Sequence, residues 1–105
     1  MQHIEIDEYV LDVLMPDLVG HDHSPAAFVV YLLLWTELYR SEEKAAPLSL
    51  QQVARRTGLS KAAVQSALRL LKRRKLVVST HKSRTAVPEY SLLRHWIRRR
   101  IRRSS

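Results

Sequence analysis

The chain has no cysteine, which excludes disulfides and cysteine-ligated zinc sites. This absence fits a cytoplasmic protein. It also has no apolar stretch approaching the ~20 residues of a membrane-spanning helix. The longest apolar run, Ala26 to Trp35, is far shorter. Residues 1–8 are acidic and lack the apolar segment expected of a signal peptide. There is no internal repeat, no glycine-rich phosphate loop and no nucleophile elbow. Histidines and serines form no defined catalytic arrangement, and the acids are scattered. The expectation is therefore a protein that is not an enzyme and needs no cofactor. His21-Asp22-His23 has ligand-type side chains but offers no fourth ligand. A loop leading into a capped helix explains it better than a metal site.

The second half of the chain is short of acids. Residues 55–105 carry sixteen basic side chains and one acid, Glu89. Residues 1–54 carry nine acids against Arg40 and Lys44. The halves are near −7 and +15, which sum to the net +8. Concentrating cations costs self-repulsion, and a polyanionic partner removes that cost. Nucleic acid is the commonest such partner. With 105 residues and 46% hydrophobic content, one domain can bury an ordinary core.

Periodicity places the elements. Ile6, Tyr9, Val10, Val13 and Leu14 recur at helical spacing, with Asp7 as a possible cap and Pro16 as the stop. A loop is expected over Asp17 to His23. Ser24-Pro25 then starts a helix reaching about Arg40 or Lys44. Its Phe28, Tyr31, Leu32, Trp35 and Tyr39 form one apolar face, and Ala26, Val29, Val30 and Leu33 form another. A helix apolar on both sides must be covered on both, by the N-terminal helix or a second subunit.

After a polar loop, Leu48 is expected in a very short strand. Ser49 and Gln52 have capping-box spacing, which starts a helix over about 50–57. Gly58 suits a left-handed turn, Leu59 points to the core, and Ser60 caps a third helix running to about Arg74. The cations Lys72 to Lys75 suit its C-terminal dipole. Leu76 to Thr80 and Thr85 to Ser91 read as a β-hairpin with a polar tip, His81 to Arg84. Pro88 argues for an edge strand or a bulge. Leu93, Trp96, Ile97 and Ile101 are helically spaced in the arginine-rich tail. The expected fold is mainly α with a small β-hairpin. It divides into a helical extension over 1–23, a three-helix core plus wing over 24–92, and a basic tail over 93–105.

The order helix, strand, helix, turn, helix, hairpin, with Val53, Ala54, Gly58, Leu59, Val64 and Ala67 at their spacing, resembles the winged helix-turn-helix families of bacterial regulators and replication initiators. The flanking helical segments are similar to the layout of MarR-type regulators, which dimerise through such helices. The resemblance implies binding to double-stranded DNA, with helix 60–74 in the major groove and the wing, 81–85, beside it. Gln65 and Arg69 have the reach to read base edges. Small Ala62 and Ser66 permit close approach, and Arg73 shares that face. Ser60 and Lys61 suit phosphate. Lys82 and Arg84 in the wing, and Arg98, Arg99 and Arg100 in the tail, are further backbone contacts. The tail could instead lie on an anionic membrane or pack on the domain. Leu93 and Trp96 are expected to dock, and no effector pocket is visible.

A small transcriptional regulator, cytoplasmic and nucleoid-associated, is the leading reading. A homodimer would use Ile6 to Leu14 and the back of helix 24–40. A replication-initiation or partition factor is the first alternative. A winged helix that binds protein or RNA is the second.

Overall fold

The computed structural model describes residues 3–97. Its centre is helix α1, Pro25–Ser41. Ser24 begins it as expected: its side chain accepts from the Ala27 amide at 3.2 Å, and Pro25 takes the first helical position, where a missing N–H costs nothing. Ala27, Val30, Tyr31 and Leu34 are fully buried. Full burial of a side chain of the size of Val30 or Leu34 contributes ~1.5–3 kcal/mol.

The back of α1 is covered by the chain's own N-terminal segment. That segment differs from the expectation. Pro16 does not end the helix, and Asp17 to His23 is not simply a loop. Two π-helical segments, π1 (Val10–Leu14) and π2 (Pro16–His21), run almost end to end. A proline ring clashes with the carbonyl four residues back in an α-helix. The wider π turn relieves that clash, and Pro16 enters at the first position of π2. Val10, Leu14 and Leu18 are thereby buried at intervals of four, Leu18 among them although it was expected in a loop. Ile6 and Val13, expected on the apolar face, are exposed instead.

Helices α2 (Leu50–Thr57) and α3 (Lys61–Arg73) pack on the other side of α1. The capping box forms: the Ser49 hydroxyl accepts from the Gln52 amide at 3.1 Å, and the Gln52 side chain accepts from the Ser49 amide at 2.8 Å. Gly58 takes the left-handed backbone, φ 83°, that the turn requires. Leu59 is half-buried against the core.

The sheet has three strands in the order β1-β3-β2, all antiparallel: β1 Ala46–Pro47, β2 Val77–Thr80 and β3 Glu89–Leu92. Ala46 pairs with Tyr90, and Val77 with Leu92. Three expectations shift here. Leu48 lies just outside β1, although its amide donates to the Pro88 carbonyl at 3.1 Å. The returning strand starts at Glu89 rather than Thr85, because Pro88 has no amide to donate and Ser83–Ala86 forms a turn instead. With Pro88 outside it, β3 is the central strand, not an edge.

Leu76 is also outside β2, because it closes α3. Its amide donates to the Leu71 carbonyl at 2.9 Å, and the Lys75 amide donates to the Lys72 carbonyl at 3.0 Å. This is a Schellman ending, with Leu71 and Leu76 both buried beneath it. Its left-handed position, normally glycine, is Lys75 at φ 59°.

The segment after the sheet is pinned to the N-terminus. One Asp7 carboxylate oxygen accepts from Arg94 Nη2 at 2.7 Å, Arg94 Nε at 3.2 Å and Trp96 Nε1 at 2.8 Å. Tyr9 stacks on Trp96 with centroids 4.3 Å apart. Trp35 Nε1 donates to the Glu5 carbonyl at 2.8 Å, and the Arg94 guanidinium lies over the Trp35 ring. Trp96 therefore docks as expected, but Leu93 does not: it stays exposed while its amide donates to the Leu76 carbonyl.

Two predictions follow from these closures. Lys75→Gly should stabilise the fold by about 0.5–1 kcal/mol, the ~1–2 kcal/mol of left-handed strain less the entropic cost of glycine. The urea midpoint should rise, and a fall would show that the Lys75 side chain contributes more than its strain. Asp7→Ala should destabilise by ~1–2 kcal/mol, since it strips a shared acceptor from Arg94 and Trp96 in a partly exposed setting. Tryptophan fluorescence during denaturant titration would measure it, and an unchanged midpoint would mean the contacts contribute nothing net.

Candidate nucleic-acid interface

The surface is built on α3. Ser60 caps it, its hydroxyl accepting from the Ala63 amide at 3.1 Å. Val64, Ala67, Leu68 and Leu71 are buried against the core. That single stripe fixes the roll of the helix, so what faces outward follows from the spacing. Ala62, Ser66, Arg69 and Arg73 lie opposite it, and all four are exposed. Lys61, Gln65 and Lys72, also exposed, follow one flank. The recognition-helix residues expected from the sequence thus share one helix surface, in two stripes.

Ion pairing sorts the cations. Arg56 pairs with Glu37, Arg74 with both Asp17 and Asp22, and Arg94 with Asp7. Each joins an acid of the first half to an arginine of the second. Among the described residues, no acid pairs with Lys61, Arg69, Lys72 or Arg73. The outward cations of α3 therefore remain available to an external partner, while Arg56, Arg74 and Arg94 join segments of the fold. Arg94, counted with the tail cations on sequence, belongs to the second group.

The wing is longer and less regular than expected, with an irregular exposed segment over residues 81–88. Lys82 is 83% exposed and pairs with Glu89 at 3.4 Å. An exposed pair of this kind contributes ~0–1 kcal/mol, so it yields readily to a phosphate. Arg84 is exposed on the same segment. Arg98, Arg99 and Arg100 lie outside the described residues.

Sequence reasoning missed two concave features. A small cleft is lined by Leu50, Gln65, Leu68, Arg69, Lys72 and Tyr90, between α3, the start of α2 and β3. The i, i+4, i+7 spacing of Gln65, Arg69 and Lys72 was the available signal. An open groove of about 880 Å3 runs beside the end of α1, with Trp35, Tyr39, Arg40, Glu42, Glu43 and Arg94 in its walls. Periodicity along single helices could not have foreseen it. The His21–His23 segment has a structural role: Asp22 takes Arg74 at 2.9 Å, while His21 is exposed.

Two buried phenols are held neutral. Desolvation raises the Tyr31 hydroxyl far above its ordinary range, Arg94 opposing that shift and Asp7 adding to it. Desolvation also raises Tyr90.

No helix among the described residues is long and apolar enough to cross a membrane. The model of the MarR family matches residues 36–85, just under half of the chain. No curated protein and no solved structure gave a significant match. The matched segment holds the end of α1, β1, α2, α3 and β2, in the order and packing described above. The matched residues 36–85 are similar to the MarR family, and the fold is that of a winged helix.

Proposed function

We propose that this protein is a transcriptional regulator that binds a specific sequence in double-stranded DNA. The supporting observation is the outward stripe of α3, where Arg69 and Arg73 stand without acidic partners among the described residues beside the small Ala62 and Ser66. Small side chains let the helix enter a major groove, and arginine can pair bidentately with guanine. Ser60 and Lys61 at the helix start take a phosphate. Lys82 and Arg84 reach the neighbouring backbone or minor groove. The arginines at 98–100 add phosphate contacts, which supply affinity without base information.

The proposal extends to a homodimer. Ile6, Leu11, Val13, Met15 and Val29 are exposed apolar residues on the N-terminal segment and the back of α1. Burying them against a second copy removes apolar surface from water and brings two recognition helices onto one duplex. Leu33, also on that back face, already packs against the core of its own chain, so Val29 is the cleaner probe.

Selection from a random duplex library should enrich a palindrome. On the selected site and a scrambled duplex, Arg69→Ala should cost ~1–3 kcal/mol on the first and little on the second. Lys82→Ala should weaken both alike. Equal losses for Arg69→Ala would remove α3 as the reader. Val29→Glu should yield a folded monomer by light scattering and circular dichroism. A monomeric wild type at tens of micromolar would end the dimer proposal.

A further inference from the structure

The flank of α3 carries chemistry that the groove-facing stripe does not use. At 3.6 residues per turn, Gln65 and Lys72 lie roughly 70–90° from the centre of the arc formed by Ala62, Ser66, Arg69 and Arg73. Their stripe borders the cleft floored by Leu50, Leu68 and Tyr90, with Arg69 at its boundary. None of the six lining residues is acidic. The larger groove beside α1, by contrast, contains Glu42 and Glu43. The cleft is a shallow depression rather than an enclosed cavity, with an apolar floor and a cationic rim. It suits a small anion presented from outside.

We infer that this cleft seats a phosphate of the DNA backbone, with Lys72 and Gln65 as its donors and Arg69 between it and the base-reading face. The inference rests on the DNA-binding reading. It reassigns Gln65 from base reader to phosphate ligand and adds Lys72, which sequence reasoning had assigned only to the C-terminal dipole of α3.

The geometry supports this in three ways. A helix in a major groove has a phosphate strand along each flank, and a flank residue meets that strand before it meets a base edge. Leu50 brings the first turn of α2 to the same cleft, and the positive end of that helix's dipole favours an anion there even with the Gln52 amide held by the Ser49 cap. Tyr90, a phenol protonated near neutral pH wherever it sits, adds no negative charge to the cleft.

The test compares wild type with Lys72→Ala, Lys72→Arg and Gln65→Ala on the selected and the scrambled duplex, at salt from 50 to 200 mM. Both side chains, Lys72 and Gln65, are exposed in the unbound protein, and thermal melts would verify folding. Lys72→Ala should lower the slope of log K against log salt by ~0.9, which makes its deficit about 3.5-fold larger at the low-salt end than at the high-salt end. Lys72→Arg should keep the wild-type slope. Gln65→Ala, which removes a neutral donor, should weaken both duplexes by the same factor at unchanged slope. An unchanged slope for Lys72→Ala, or a loss confined to the selected duplex for Gln65→Ala, overturns the assignment while wild-type binding stands. A wild type that prefers duplex DNA to no other polyanion would overturn the DNA-binding reading itself, and this assignment with it.

Discussion

Everything in this molecule depends on the burial of α1. Its Ala27, Val30, Tyr31 and Leu34 form one fully buried stripe, which Phe28 and Trp35 widen. Apolar side chains continue round the helix through the half-buried Ala26, Leu32 and Leu33, so α1 needs cover on more than one side. The helix-turn-helix and sheet cover one side and the π-helical segments cover the other. The N-terminal extension is thus part of the core that holds α3 in place. The cost is one buried hydroxyl, that of Tyr31, with no hydrogen-bond partner among the described residues.

The electrostatics are organised around the same centre. A chain with −7 in one half and +15 in the other has an obvious solution, which is to pair its halves. It does so at three places, through Arg56, Arg74 and Arg94. Among the described residues no further pair joins the two halves, and the remaining cations of α3 point outward. A polar distribution that is legible only as a total in the sequence becomes, in space, a division between arginines that fasten and cations that attract. The attraction is long-ranged and weakens with salt, whereas the partly buried Arg74 pairs are screened less.

Local signals in the sequence carried most of the winged helix. Ser24-Pro25, the Ser49–Gln52 box, Gly58 and the Ser60 cap each act within four residues, and each boundary they set is found in the structure. The errors arose where distant residues decide. Pro16 stops an α-helix, but the demand of α1 for a cover keeps the chain helical through it in a wider form. Leu76 has strand character, yet the ending of α3 claims its amide. Pro88 was read as marking an edge strand, but it lies outside β3, which pairs on both sides. The candidate site follows the same rule. The groove-facing stripe was readable from helical spacing, while the cleft depends on Tyr90 and Leu50 arriving from other elements. The partners of Arg74, separated from it by 52 and 57 residues, leave no trace in a local pattern.

The Asp7 contacts with Arg94 and Trp96 join positions 87 and 89 residues apart. Closing so long a loop is entropically expensive until the core between its ends is already in place. The clasp is therefore a late contact in folding, absent from the barrier that separates folded from unfolded chain. Contacts of that kind act on the rate of opening and leave the rate of folding nearly unchanged. A contact made in that order acts on how long the folded state lasts, and this one ties residue 7 to residues 94 and 96.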